Sequence, residues 1–260
     1  MPQMTSYRPG TPCWVDVSSE QPERAAEFYA ALFGWEANEA MPEESEGSYV
    51  MFRKDGNDVA AAGSTPESGA PPHWNAYFAT DDAEATAEQV RRAGGAVVMP
   101  PFDVYEFGRM GLFQDPQGAF FSVWEAKDMP GATLVDEPGT LSWTELMTTD
   151  AAGAARFYGE VFGWRSEEND MGEGYPYHLQ KIGDDGVAGI MDIQPDTGPM
   201  PPNWGIYFAV DDTDGTVARA EELGGKLAAG PMDSPYGRFA VLEDPLGAAF
   251  AVIKLQMPGS

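Results

Sequence analysis

The chain has 260 residues, 43% of them apolar, and carries fifteen basic against forty-two acidic residues for a formal charge of −27. A length beyond the ~100–200 residues of a typical domain implies two domains or one large one. The charge repels phosphate backbones and anionic headgroups, which argues against nucleic acid and membrane surfaces as partners and leaves solubility, or an acidic docking surface, as its use.

From the N-terminus, Met1 to Cys13 holds one arginine and no apolar run fit for a secretory leader, and nowhere do ~18 apolar residues follow one another. Cys13 is the single cysteine, so neither an intrachain disulfide nor a thiolate cluster can form, and the expected location is the reducing cytoplasm. Cys13 to Ser18 alternates as a strand does. A helix follows: Pro22 suits its first turn, Ala25, Phe28, Tyr29, Leu32 and Phe33 form its apolar stripe, and Gly34 supplies a left-handed stop. Short strands are expected over 48–53 and 58–63. The pattern then restarts with a strand over 74–80, a helix over 83–93 closed by Gly94-Gly95, and further short strands.

The second half repeats the first at an offset of about 130 residues, too long a period for a solenoid unit. Trp14-Val15-Asp16-Val17 matches Trp143-Thr144-Glu145-Leu146, Ala25-Ala26-Glu27-Phe28-Tyr29 matches Ala154-Ala155-Arg156-Phe157-Tyr158, and both segments close on Phe-Gly-Trp. Residues 74–82 (WNAYFATDD) match 204–212 (WGIYFAVDD), Gly108-Arg109 matches Gly237-Arg238, and Asp115-Pro116-Gln117-Gly118 matches Asp244-Pro245-Leu246-Gly247. Strands are expected at 141–148, 175–182, 187–193 and 204–210. Helices are expected after Asp150, a fitting N-cap, with Gly163 as the stop, and over 213–223. Residues 130–138, rich in Pro and Gly, separate domains at 1–130 and 138–260.

This order resembles the vicinal oxygen chelate superfamily of glyoxalases, bleomycin-resistance proteins and extradiol dioxygenases. The resemblance lies in Phe-Tyr in the first helix, Tyr-Phe-Ala-x-Asp-Asp at the fifth strand and Gly-Arg with Asp-Pro-x-Gly near the end, twice over. It implies an α+β fold of two tandem cups, each of two βαβββ modules, with a metal ion held by His, His and Glu on the first, fifth and last strands of a cup. At those positions stand Trp14, Asn75 and Ser122 in the first half and Trp143, Gly205 and Ala251 in the second. Indole nitrogen only donates, and glycine and alanine carry no ligating atom, so no metal and no cofactor is expected. Asp16 with His73 offers two ligands without a third.

Asp16 and Glu145 occupy the same strand position and face inward if Trp14 and Trp143 do. A carboxylate in an apolar cup gains a raised pKa and can act as general acid or base. The alternative is a structural carboxylate bonded to backbone or to Arg109. His73 either relays a proton in the first cup or sits on its solvated rim. Trp14, Asn75, Tyr77, Phe120, Trp124, Trp143, Asn203 and Tyr207 have the parity to line the pockets, or to fill them as core. Arg109 and Arg238 pair either with an anionic group of a ligand or with Asp16 and Glu145. Trp74 and Trp204 fall on the opposite face, under the helices, and His178 reads as structural. No nucleophile elbow, phosphate loop or dinucleotide fingerprint is present.

Three functions are compatible with this pattern. The chain is a metal-independent protein acting on or binding a small aromatic or polyketide-type metabolite, a bleomycin-resistance-type sequestering protein, or a metal-dependent lyase or dioxygenase. The expected partner is a small molecule, and the expected assembly a monomer or homodimer. Gly205 and Ala251 take less room than Asn75 and Ser122, so the second cup is expected to be the roomier, with Trp143 and Glu145 bordering its cavity.

Overall fold

The computed structural model describes residues 3–41, 47–65, 69–170, 176–194 and 200–256. Residue 175, where the sequence pattern starts a strand, and the ends of the expected domains at 1–2 and 257–260 lie outside these. The first half runs β1 (Pro12–Ser19), α1 (Pro22–Phe33), β2 (Glu36–Glu39), β3 (Tyr49–Lys54), β4 (Asn57–Ser64), β5 (His73–Ala79), α2 (Ala83–Arg92), β6 (Ala96–Val104), β7 (Gly108–Gln114) and β8 (Phe120–Ala126). The second repeats it as β9 (Leu141–Thr148), α3 (Ala151–Phe162), β10 (Arg165–Asp170), β11 (Pro176–Ile182), β12 (Asp185–Asp192), β13 (Asn203–Ala209), α4 (Thr213–Glu222), β14 (Lys226–Ser234), β15 (Gly237–Glu243) and β16 (Ala249–Leu255).

The helices end where the sequence places their stops. Gly34 and Gly163 both adopt φ 71°, a left-handed conformation that side chains resist. The Asp150 carboxylate accepts from the Gly153 amide and caps α3. The strands β2 and β10 have no counterpart among the expected elements. Glu36 to Glu39 is exposed throughout and shows no apolar alternation, so only hydrogen bonding to the edge of β3 makes it a strand.

Each half forms one eight-stranded sheet, ordered β2-β3-β4-β1-β5-β8-β7-β6 and β10-β11-β12-β9-β13-β16-β15-β14. Two βαβββ modules meet at the antiparallel β1–β5 or β9–β13 pair, while β1–β4 and β5–β8 run parallel. The alternation of β1 then matters: Val15 and Val17 point to one face, Trp14 and Asp16 to the other. The first face enters a core that continues across both halves.

That core is built by exchange. Tyr29 of α1 donates its hydroxyl to Asp244 Oδ2 at 3.0 Å and accepts from the Trp74 indole at 2.9 Å. Tyr158 of α3 does the same with Asp115 at 3.2 Å and Trp204 at 3.0 Å. Each aspartate uses its other oxygen to accept three backbone amides of its own Asp-Pro-x-Gly turn. Rings complete the seam: Phe33 and Trp74 lie 5.1 Å from Phe208, and Phe78 lies 5.0 Å from Trp204 and 5.2 Å from Phe162. The tryptophans of the two Phe-Gly-Trp motifs reach outward as well, Trp35 to the Gly139 carbonyl and Trp164 to that of Gly10.

Because one core serves both halves, urea unfolding should follow a single cooperative transition by fluorescence and by circular dichroism; two resolved transitions would show independent cups. Tyr29→Phe and Tyr158→Phe should each lower stability by about 1–3 kcal/mol, since each strands a buried carboxylate oxygen and an indole N–H.

Candidate functional site

The other face of each sheet curls into a cup. In the second half, residues of β11 and of β14, near opposite ends of the sheet, line the same cavity, which a flat sheet could not do. In the first cup Asp16 is 4% exposed and receives three donors: Tyr49 and Tyr77 hydroxyls on Oδ2, both at 2.9 Å, and the Asn75 amide on Oδ1 at 2.8 Å. The Trp14 indole fixes Tyr49 at 3.0 Å. In the second cup Tyr207 donates to Glu145 Oε1 at 2.9 Å, Tyr177 is its second hydrogen-bonding tyrosine, and the Trp143 indole fixes Tyr177 at 3.0 Å. The duplication therefore preserves a tryptophan–tyrosine–carboxylate–tyrosine chain. Tyr49 and Tyr177 are absent from the sequence-based candidates, although both lie on the third strand of their repeat at matching places, and that match was the available signal.

Burial pushes both carboxyls above their usual range, against the opposing pull of their hydroxyl donors and, at Asp16, of Asn75. The tyrosines around them are raised well above theirs, first by burial and then by the adjacent carboxylate, so they stay protonated donors.

The cups differ in what fills them. Trp14, Tyr77 and Trp124 pack with Cys13, Ala61 and Ala132 in a compact cluster, closed by Tyr7, Met129 and Val135 from the N-terminal segment and the linker. The linker is bonded in place: Ala132 donates to the Cys13 carbonyl, Thr133 to Asp58, the Trp124 indole to Met129, and Tyr7 to Ala132. Gly131 permits the approach, with φ 115° and a Cα so near β1 that a Cβ would sit 2.4 Å from the Cys13 carbonyl oxygen. In the second cup the described residues leave a cavity of about 440 Å³. Glu145, Tyr177 and Tyr207 border it with Trp143, Leu179, Met191 and Phe239 as walls and Met232 and Tyr236 toward the rim.

Several sequence-based candidates lie elsewhere. Arg109 is held on the surface by Glu84 and Asp103, and Arg238 by Asp214 and Asp233, so neither pairs with Asp16 or Glu145. Both follow the glycine that opens an outer strand, and the acidic residues of the adjacent helix and hairpin claim them first. His73 is an exposed rim residue whose Nδ1 contacts the Pro71 carbonyl, and Asn203 mirrors it by donating to Pro201. Phe120 opens β8 opposite Gln114 and is 51% exposed, outside the cluster that fills the first cup. Trp124 faces the first cup but is part of its filling. Trp74 and Trp204 belong to the shared core, and burial raises the Cys13 thiol far out of the reactive range.

The positions where the resemblance implies a metal do not fit one. Both indoles there donate to tyrosines, Gly205 and Ala251 offer no side-chain donor, and among the described residues no three His, Cys, Asp or Glu side chains gather. No helix of the described residues is long and apolar enough to cross a membrane.

The family model of the Glyoxalase/Bleomycin resistance protein/Dioxygenase superfamily matches residues 14–123 and again 140–252. Among proteins similar over nearly their whole length, "Putative glyoxylase CFP32" of Mycobacterium tuberculosis is 43% identical, with 98% of each chain covered. "Anthracycline biosynthesis protein DnrV" of Streptomyces peucetius is 42% identical, covering 97% of this chain and 96% of that one. Among solved structures, the Mn(II)-bound glyoxalase from Novosphingobium aromaticivorans superposes with a TM-score of 0.65 at 18% identity, over 96% of this chain and 83% of the other, a likeness of fold.

Two outcomes test this geometry. A carboxyl whose pKa is raised by folding takes up a proton on folding between its ordinary value, about 4.3 for Glu, and the raised one, so stability falls as pH rises through that window. In Glu145→Gln that slope should be missing, and the melting temperature of the variant relative to wild type should climb as pH rises above the ordinary carboxyl range; a pH-independent difference would refute the assignment. Gly131→Ala should cost about 1–3 kcal/mol through its positive φ alone, with more from the collision at Cys13, in a thermal melt.

Proposed function

The chain belongs to the Glyoxalase/Bleomycin resistance protein/Dioxygenase superfamily, and we propose that its second cup takes up a small aromatic or polyketide-type metabolite and moves a proton on it through Glu145, without a metal ion. The observation that carries this reading is the carboxyl at the wall of an aromatic cavity of about 440 Å³, within the ~300–1,000 Å³ of ordinary ligand sites. Trp143, Tyr207 and Phe239 offer flat faces, and Met191 and Met232 offer adaptable thioethers. Burial brings the neutral form of Glu145 nearer to working pH, where one group can both give and accept a proton. Tyr177 and Tyr207 hold its orientation and steady the charged form after transfer.

The name of the Streptomyces peucetius relative supports an aromatic polyketide as the ligand class. On this reading the first cup is a structural copy. Its carboxylate is satisfied from within and its mouth is filled by the linker. The strongly negative charge keeps nucleic acid and anionic lipid away. The protein works as a monomer or homodimer in the cytoplasm, its buried thiol inert.

Aromatic polyketides, titrated against wild type and followed by tryptophan fluorescence and product analysis, separate the possibilities. Wild type should bind and convert a member of the set with or without EDTA. Glu145→Gln should lose about two orders of magnitude or more in turnover, and Asp16→Asn should bind and turn over as wild type does. Binding without conversion in all forms would favour the sequestering reading. Full activity in Glu145→Gln, or loss with EDTA, would overturn the proposal.

A further inference from the structure

Among the described residues the two cups differ by one hydrogen-bond donor at their carboxylate. We infer that the ligand of the second cup supplies the missing one: it is an uncharged aromatic molecule whose hydroxyl or N–H group sits over Gly205 and donates to Glu145. The inference rests on the second cup being the ligand site and adds the polarity of what enters it.

In the first cup β1 pairs with β5 so that Asp16 stands opposite Asn75, whose amide completes three donors around the carboxylate. In the second, β9 pairs with β13 so that Glu145 stands opposite Gly205, and the two tyrosines remain without an equivalent of that amide. A carboxylate accepts at about four lone-pair sites, so Glu145 has capacity that Asp16 has used. Among the described residues Asn203, one face-repeat away on β13, does not take the role, since it donates to the Pro201 carbonyl instead.

The place is open. A Cβ built on Gly205 would lie 3.5 Å from the Glu145 carbonyl oxygen and 3.8 Å from Tyr207 Cε2, which are ordinary contacts, and Gly205 is not fully buried. Among the described residues the cavity lining includes no lysine, arginine or histidine, and its second carboxylate, Asp233, is paired with Arg238. An anion would therefore face Glu145 without a countercharge, whereas a neutral phenol or amide N–H would complete the carboxylate as Asn75 does next door.

The test compares naphthol, its methyl ether and hydroxynaphthoate by calorimetric titration at a pH below phenol ionisation and on the basic side of the Glu145 titration. Naphthol should bind the wild-type protein roughly tenfold or more tightly than the ether, the difference expected of a hydrogen bond to a charged group, and hydroxynaphthoate should bind more weakly than naphthol. Gly205→Asn should erase the preference for naphthol over the ether, because the new amide takes the ligand's place, while Gly205→Ala should keep it. Should the asparagine variant fail to fold, Glu145→Gln gives the same reading: naphthol affinity falls toward that of the ether, which is unchanged. Equal binding of naphthol and ether to wild type overturns the inference while leaving an aromatic site. So does a preference that persists in Gly205→Asn or Glu145→Gln, or hydroxynaphthoate binding as well as naphthol. Binding of none of the three overturns the proposed function itself, and the inference with it.

Discussion

Tyr29 and Asp244, and their counterparts Tyr158 and Asp115, bind the first helix of each half to the last turn of the other. These groups are buried, and a buried hydroxyl or carboxylate without a partner is costly, so neither half can satisfy its core alone. The exchange commits one face of each sheet to the partner half. The alternate residues of β1 and β9 are then left to face away, which is how Asp16 and Glu145 come to sit in cups on the far sides of the molecule. The site is in this sense a consequence of the seam.

Within that symmetric frame the two cups differ in what fills them. The tryptophan, both tyrosines and the carboxylate persist in each, held at similar distances. Asn75 against Gly205 changes the donor count at the carboxylate, and the linker with its Gly131 contact closes the first cup from outside. A filled cup with a satisfied carboxylate is a stable structural unit. A cavity beside a buried carboxylate carries a local cost in stability, which a packed cup does not.

The departure from the family's metal positions fits the same picture. At the positions where the resemblance implies ligands on the first strand of each cup, this chain has indoles that donate to tyrosines, and those tyrosines hydrogen-bond the carboxylate. Glu145 lies two residues on from Trp143 and on the same face of β9.

The tandem repeat, the helices with their glycine stops, the alternation of β1 and β9 and the matched pair Asp16 and Glu145 were all legible in the sequence, because each is a local pattern or a comparison of one half with the other. The edge strands β2 and β10 were not, since exposed polar segments without apolar alternation become strands only through hydrogen bonds to the strand that follows them. Arg109 and Arg238 were misplaced because the acidic residues that hold them, Glu84 and Asp214, are near only in space. Tyr49 and Tyr177 were overlooked since a tyrosine on a half-buried strand announces no partner. What the sequence determined by itself was the duplicated fold and which strand position carries a carboxylate. Which cup stays open, and which tyrosines surround that carboxylate, was decided only in the tertiary structure, because it depends on where the linker lies and on side chains brought together from strands distant in sequence.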